Sequence, residues 1–259
     1  MAHYNTPELL QLSLALWLNQ TVPCEVWILD TGSTESIDHW ASDNVKIIHI
    51  PQCNPKRHTA EVVANACQYA QDNCTTKYLM QTHVDVYPKS RHMLEYWMSL
   101  MSEHPVAGYG MSDRSFFDPS IKDRWQGVMG HSLTMVDVDV VRANKIDWSL
   151  QKGVDKYGLS INGWDTEVTF GMDLIESGIA LRFLGRDKNF KLASDKWHSH
   201  CRSYTTAKMH ASNYKNVINA YGNSLSFEVL QEEIKQEFIR LKKMLSDSWK
   251  VDINKYNHG

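Results

Sequence analysis

Two carboxylates stand at the ends of predicted strands, where a folded chain can use them for chemistry. Asp30 ends the run "CEVWILD" and precedes the tight loop "TGST", and Asp85 lies at the end of "KYLMQTHVD". In an open parallel sheet, ligands bind beyond the carboxyl ends of the strands, so both side chains are expected to face one crevice. One carboxylate can accept hydrogen bonds from a base or ribose, and the other can bind a divalent cation that bridges a diphosphate. The pair indicates a nucleotide-diphosphate site.

The Asp-Thr-Gly segment at 30–32 is also typical of aspartic proteases. Those enzymes need two carboxylates that share one proton, from two such loops or from a symmetric dimer. This sequence contains one Asp-Thr-Gly. Its alternating strand and helix patterns also differ from the nearly all-β structure of those proteases, so we exclude this class.

Helices and strands are predicted to alternate along the chain. Apolar residues at helical spacing predict helices over 7–19, 58–73, 93–105 and 225–249. Runs of β-formers predict strands over 24–30, 45–50, 77–88 and 180–185. Residues 130–143 are predicted to be a strand leading to a helix or turn, and residues 163–178 a loop feeding a helix that stops at Gly178. The pattern predicts an α/β fold with a mostly parallel central sheet flanked by helices.

Length and composition favour one large domain. The chain has 259 residues, of which 42% are hydrophobic and 22% charged, which is enough to bury a sizeable core. We expect an α/β domain over 1–215 and a C-terminal helical extension over 216–259 packed on it. The formal net charge of −3 gives the whole chain no electrostatic footprint for polyanions.

The cysteines and the apolar segments indicate in which cellular compartment the protein is expected to lie. Five cysteines are an odd number, are widely spaced and form no Cys-x-x-Cys motif, which indicates reduced thiols and a cytoplasmic location. The apolar stretch "LLQLSLALWL" at 9–18 is shorter than a membrane span and has no basic flank typical of a signal peptide. We therefore expect a buried helix here and no transmembrane segment.

The order of the motifs resembles that of family 2-type glycosyltransferases with a GT-A fold. The motifs are "HYNTPELLQLSLALWLNQ", "VWILDTGST", "HTAEVVANACQYA", "YLMQTHVDVYP" and "GWDTEVTFGMDLIESG", and the resemblance covers roughly residues 3–200. It implies a GT-A-like catalytic domain over 1–215. It also implies an inverting, metal-dependent transfer of a sugar from a nucleotide-diphosphate donor to an acceptor hydroxyl, with a glycan, a small molecule or another hydroxyl compound as acceptor.

The resemblance assigns donor-binding roles to matching positions. Asn5 falls in the turn that opens the first helix, Asp30 lies beside the nucleobase, and Gly32 and Ser33 lie in the loop that follows. Asn65 matches the Asn of an "arN" helix, in which Ala64 replaces the usual Arg. Members of the family usually begin with an apolar strand, whereas three residues precede Tyr4 here. Either the first strand is shortened or the sheet begins differently.

The same resemblance implies a divalent metal, Mn²⁺ or Mg²⁺. Asp85 matches the last Asp of the family's "DxD" motif, and His83 stands at its first position. Imidazole is a competent ligand for Mn²⁺-like ions, so the change makes strict use of Mg²⁺ less certain. A third ligand is expected from "KWHSHC", which offers His198 and His200. Of these two we prefer His198.

Asp165 is the expected catalytic base. It matches the Asp of the family's "ED" pair, with Trp164 in place of the Glu and Glu167 two positions on. An inverting transfer needs a carboxylate that takes the proton of the acceptor hydroxyl. The structural alternative for Asp165 is a helix N-cap, a position at which Asp is favoured.

Three alternatives remain open at this stage. The departures "HVD" and "WD" are compatible with a catalytically inactive GT-A-like domain that binds a nucleotide or a glycan. A nucleotidyltransferase would use a similar sheet, but no Gly-rich loop with basic residues follows the first strand pattern. The apolar stripe over 225–249 predicts packing against the domain, and the lesser alternative is a homodimer through this helix.

Overall fold

A parallel three-stranded sheet forms the amino-terminal part of the fold in this computed structural model. Its strands, in the order β1-β2-β3, are Ala2–His3, Val26–Asp30 and Val45–His49. The structure describes residues 1–51, 59–110, 129–157, 166–184, 193–194, 198–200, 216–218 and 224–256. The strands β2 and β3 confirm the predictions for 24–30 and 45–50. The sheet begins with β1, a strand of two residues that pairs with β2.

A four-stranded sheet continues this one. It contains β4 (Tyr78–Thr82), β6 (Val106–Gly110), β7 (Met129–Asp137) and β8 (Leu181–Phe183), in the order β4-β7-β6-β8. β7 is antiparallel to β4 and β6, and β6 is parallel to β8. A parallel bridge from Ala2 to His83 joins the two sheets. The sheet is therefore mixed, since the amino-terminal half is parallel and β7 adds antiparallel pairs that strand periodicity does not predict.

The predicted strand over 77–88 is two strands. β4 ends at Thr82, and β5 (Val86–Pro88) begins after a turn that contains His83 and Asp85. β5 pairs antiparallel with β10 (His198–His200), which pairs with β9 (Ala193–Ser194). A further pair joins β11 (Asn216–Ile218) to β12 (Ser224–Ser226). The chain thus leaves the central sheet at His83. One continuous run of β-forming residues in the sequence therefore corresponds to two strands that belong to different sheets.

Helices connect and cover the strands. They are α1 (Pro7–Trp17), α2 (Thr59–Asn73), α3 (Met93–Leu100), α4 (Val138–Ala143), α5 (Leu150–Tyr157), α6 (Val168–Ser177) and α7 (Phe227–Lys243). A π-helical segment, Met244–Trp249, continues α7. The helix-period patterns predicted α1, α2, α3, α6 and α7. As predicted, α6 ends at Gly178, which adopts the left-handed conformation with φ of 66° that favours glycine. α5 is short and was not predicted.

Helix α1 is buried on two sides. Leu10, Leu14 and Trp17 belong to the core between α1 and the sheet. Leu12, Ala15 and Leu16 pack in a second core with Ile234, Leu241, Leu245 and Trp249 from the C-terminal helical segments. This double burial explains why apolar residues occupy most of the surface of α1. It also shows that the apolar stripe of α7 packs against α1 of the same chain. Within the described part of the chain, none of the helices combines the length and apolar character that crossing a bilayer requires.

Helices α5 and α6 make a close contact near the start of α6. Trp148 and Phe170 stack with their ring centroids 3.9 Å apart. The carboxylate of Asp173 on α6 accepts hydrogen bonds from Lys152 at 2.5 Å and from Lys156 at 2.9 Å, both on α5. A Cβ atom built on Gly153 would lie 2.3 Å from Thr169 Oγ1. Glycine at 153 therefore permits this approach of the two helices.

We expect Gly153→Ala to lower the free energy of unfolding by about 2 kcal/mol, because overpacking a tight contact costs more than the better helix propensity of alanine gains. Denaturant titration followed by circular dichroism measures this change. Adding Thr169→Ala removes the clashing oxygen, so the double variant should be more stable than Gly153→Ala alone. A single variant as stable as the wild type would contradict the close packing.

Candidate functional site

The last residues of three neighbouring strands form a His-Asp-His row. His3 of β1 is the register partner of Asp30 of β2, which is the partner of His49 of β3. We call His3, Asp30 and His49 the strand-end row. Asp30 and His3 are 4% and 2% exposed. The predicted position of Asp30 at the carboxyl edge of the sheet therefore holds, and the carboxylate is buried between two imidazoles.

The two oxygens of the Asp30 carboxylate have different partners. Oδ1 lies 3.2 Å from His3 Nδ1 and accepts hydrogen bonds from the backbone N–H of Ser33 at 3.3 Å and from its hydroxyl. Oδ2 lies 3.2 Å from His49 Nδ1. Burial of this carboxyl raises its pKa, but the hydrogen bonds from His3, Ser33 and His49 outweigh that effect and lower the pKa to about 2. Asp30 is therefore an anion throughout the physiological pH range.

The loop after β2 is tied to the turn after β1. Gly32 has a φ of 99°, a conformation that residues with a Cβ rarely adopt, so the turn requires glycine. The Asn5 N–H donates to Ser33 Oγ at 2.9 Å, and the Thr34 N–H donates to Asn5 Oδ1 at 2.8 Å. Asn5 has a φ of 49°, which asparagine tolerates better than most residues. The structure thus brings together Asn5, Asp30, Gly32 and Ser33, as the resemblance implied.

The turn with His83 and Asp85 lies at the same edge, one strand away from Asp30. Ala2 of β1 pairs with Leu29 on one side and bridges to His83 on the other. The Val84 N–H donates to the Ala2 carbonyl at 3.2 Å. Asp85 is 4% exposed, and its Oδ1 lies 3.9 Å from His83 Nδ1. Asp30 and Asp85 therefore occupy the shared edge that the sequence predicted.

The backbone of β10 runs beside Asp85. In the antiparallel pairing of β10 with β5, His200 is opposite Val86, and His198 is opposite Pro88. His200 is thus nearer to Asp85 along the register than His198, although the sequence interpretation preferred His198. Among the described side chains, no three or more His, Cys, Asp or Glu residues cluster as they would around a metal ion. The described donor that suits a cation here is the buried Asp85 carboxylate, and the register of β10 on β5 places the backbone of two histidines near it.

Asn65 and Asp165 are the two remaining residues that the sequence predicted for the site. Asn65 is on α2, a helix that contacts β1 and β4. Asp165 lies outside the residues that the structure describes. Thr166 and Glu167, which follow it directly, are buried at the start of α6. The structure therefore does not test the role of Asp165.

Three contacts of the site were not predicted from the sequence. His3 and His49 bind the carboxylate of Asp30, and Asp38 Oδ1 lies 2.7 Å from His49 Nε2. The rule that placed Asp30 at the carboxyl edge applies to His3 and His49 as well, because each is the last residue of its strand. Asp38 carries no such signal, since it lies in the 3-10 turn Asp38–Trp40 between β2 and β3.

We expect Asp30→Asn to lower the free energy of unfolding by about 2 kcal/mol near neutral pH, because the depressed pKa reflects hydrogen bonds that stabilise the folded anion. In the wild type this stabilisation is present above about pH 4 and is lost as the pH falls towards 2. Urea titrations at several pH values measure both effects. The matched control is Asp43→Asn, a change at an exposed carboxylate that should leave stability within about 0.5 kcal/mol. Equal stability of Asp30→Asn and the wild type would contradict this account.

Comparisons by sequence and by structure give different results. No protein-family model matches the sequence, and no curated protein is significantly similar to it. By structure, the chain is similar to the glycosyltransferase TarS of S. aureus, with a TM-score of 0.52 and 13% identity over 96% of this chain. The chain spans 43% of TarS.

Two further structures are similar over most of the chain. A TarS fragment of residues 1–349 matches with a TM-score of 0.49 and 14% identity, over 96% of this chain and 71% of the fragment. The mannosyltransferase PcManGT from Pyrobaculum calidifontis, solved with GDP-Man and Mn²⁺, matches with a TM-score of 0.46 and 12% identity, over 95% of this chain and 68% of PcManGT. Identities this low provide evidence for the fold alone. That evidence is the TM-score of 0.52 to the longer TarS chain. The chain has a GT-A-type glycosyltransferase fold, which confirms the fold that the motif order implied.

Proposed function

We propose that this protein transfers a sugar, with inversion, from a nucleotide-diphosphate donor to an acceptor hydroxyl. The observation that carries the proposal is the shared edge at which Asp30 and the turn of His83 and Asp85 flank β1. Neighbouring strands lie about 4.8 Å apart, so the two segments are separated by about 10 Å. One segment offers a carboxylate for the nucleobase, and the other offers a carboxylate for the diphosphate end. This spacing supports a nucleotide that binds in an extended conformation across β1.

The donor-binding residues are those that surround the strand-end row. Asp30 accepts a hydrogen bond from the nucleobase, and Asn5, Gly32 and Ser33 shape the loop beside it. The rigid hydrogen bonds between Asn5, Ser33 and Thr34 support this assignment, because they hold the loop ready before the donor arrives. Asn65 contributes from α2.

A divalent cation at this site would be held by Asp85 together with His200 or His198, with His83 beside it. Oxygen and imidazole donors of this kind suit Mn²⁺. When bound, the cation supplies positive charge next to the departing diphosphate. The register of β10 on β5 supports His200 as the nearer of the two histidines.

The base in this proposal is Asp165, which precedes α6 in the sequence. As the acceptor oxygen attacks the anomeric carbon, the bond from that carbon to the diphosphate oxygen breaks, and the acceptor proton passes to the Asp165 carboxylate. The ion pairs of Asp173 with Lys152 and Lys156 support the proposal, since they anchor α6 against α5.

Incubating the protein with a panel of UDP- and GDP-sugars, Mn²⁺ and hydroxyl acceptors tests the reaction class. Release of UDP or GDP supports sugar transfer. Release of a sugar 1-phosphate, with the nucleoside monophosphate transferred to the acceptor, would instead show a nucleotidyltransferase. Nucleotide binding without any release would show a non-catalytic binding domain, the alternative that the replacement of the first metal-motif Asp by His83 favours.

We expect Asp85→Ala to weaken Mn²⁺ binding at least about tenfold and to abolish metal-dependent turnover, because it removes the buried carboxylate ligand. Electron paramagnetic resonance of free Mn²⁺ measures binding independently of activity. His200→Ala should weaken binding more than His198→Ala, in accordance with the strand register. Unchanged Mn²⁺ affinity in Asp85→Ala would overturn this site, and a larger effect of His198→Ala would reverse the order of the two histidines.

We expect Asp165→Asn to bind the donor with unchanged affinity but to lower kcat by about 100-fold or more, because general-base catalysis contributes that much. Calorimetry with the nucleotide and a nucleotide-release assay measure the two quantities. Glu167→Gln, two positions on, is the matched control and should keep most of the activity. The opposite outcome, with activity lost in Glu167→Gln and kept in Asp165→Asn, would move the base to Glu167.

A further inference from the structure

The imidazole of His49 bridges two carboxylates at the rim of the candidate site. Its Nδ1 lies 3.2 Å from Asp30 Oδ2, and its Nε2 lies 2.7 Å from Asp38 Oδ1. An ionised carboxylate accepts hydrogen bonds and donates none, so both ring nitrogens must carry a hydrogen for both contacts to be favourable. The geometry therefore corresponds to His49 as an imidazolium cation.

His49 covers the oxygen of Asp30 that has capacity for another donor. Oδ1 is already used by His3 Nδ1, by the backbone N–H of Ser33 and by the Ser33 hydroxyl. A carboxylate oxygen has two lone pairs, so these contacts leave no capacity at Oδ1. His49 contacts Oδ2, and its side chain is 56% exposed. A ligand that approaches Oδ2 from solvent has to displace this imidazole.

We propose that His49 is a positioning residue that competes with the donor nucleobase for Asp30 Oδ2, and that Asp38 determines how strongly it competes. This inference rests on the proposed function, in which Asp30 accepts a hydrogen bond from the base. The ligand concerned is a nucleoside diphosphate whose base presents a ring N–H donor, as uracil and guanine do. His49 on β3 would thus control access to the acceptor on β2.

The protonation state of His49 decides the outcome of this competition. A neutral imidazole has one N–H, so it keeps one of the two contacts. The contact to Asp38 is the shorter of the two, so the neutral ring is expected to keep its hydrogen on Nε2. The lone pair of Nδ1 then faces the lone pairs of Asp30 Oδ2, and the two repel each other. The ring is expected to turn away and expose Oδ2. Nucleotide affinity should therefore rise as the pH increases through the pKa of His49.

The charges around His49 shift this change to a higher pH than an isolated imidazole would show. Among the described residues, the titratable groups that face it are Asp38 from the 3-10 turn and Asp30 from β2, and His3 lies on the far side of Asp30. Hydrogen bonds to Asp38 and then Asp30 raise the pKa of His49 above its usual value. Asp30, with a pKa of about 2, stays ionised over the same range. One proton is therefore released from His49 when the base takes its place.

Calorimetric titration with UDP and with GDP, each with Mn²⁺, at about pH 6 and about pH 8.5 tests the inference. The wild-type Kd should fall at the higher pH, by up to about tenfold for each pH unit below the pKa of His49, because binding then releases one proton. His49→Ala and His49→Gln should bind more tightly than the wild type at the lower pH, and their Kd should change less between the two pH values. Asp38→Asn should lie between them, because it removes one of the two anchors.

The matched control is His92→Ala, which removes another exposed histidine that contacts a single carboxylate, Glu95, at 2.8 Å. It should keep the full pH dependence of the wild type. Titration of the nucleotide phosphates affects every variant equally, so the comparison with the His49 variants isolates the imidazole. Weaker binding of both His49 variants at both pH values, or the same pH dependence as in the wild type, would overturn the inference. Absence of UDP and GDP binding in every variant would instead overturn the proposed nucleotide site.

Discussion

The buried carboxylate of Asp30 is the constraint around which the candidate site is built. A charge that is 4% exposed is destabilising unless hydrogen bonds replace the water it has lost. Three structural segments supply those bonds: β1 through His3, β3 through His49, and the loop after β2 through Ser33. Because each donor belongs to a different segment, the charge couples the ends of three strands. The same contacts hold the loop on which the proposed donor site depends.

Strand β1 has two residues but links the two halves of the site. The Thr31 N–H donates to the His3 carbonyl at 3.0 Å, and the Val84 N–H donates to the Ala2 carbonyl at 3.2 Å. The first contact belongs to the loop after Asp30, and the second belongs to the turn before Asp85. A strand of this length contributes little to the core by itself. Helix α1, which follows it and is buried between the sheet and α7, supplies the packing that keeps it in place.

The helix pair of α5 and α6 uses charge in a different way. Asp173 is buried on α6 and is surrounded by Lys152, Lys156 and the hydroxyl of Tyr157, all from α5. These bonds, with the stacked rings of Trp148 and Phe170, fix the helix whose first turn follows Asp165. The Asp30 carboxylate thus organises the strand ends, whereas the Asp173 carboxylate organises a helix pair. In the proposed reaction, donor and base would be placed by two separate buried anions.

The sequence by itself determined the α/β class, the helices α1 and α2, the strands β2 and β3, the position of Asp30 at the end of β2, and the placement of Asp85 at the same edge of the sheet. These features depend on periodicity and on turn residues such as Gly32, which act over a few neighbouring positions. The tertiary structure alone decided the partners of Asp30, because His3 and His49 lie 27 and 19 residues away in the chain. It also decided the antiparallel direction of β7 and the register that brings His200 nearer to Asp85 than His198. Strand order and register follow from the packing of distant segments, and no local pattern in this sequence encodes them.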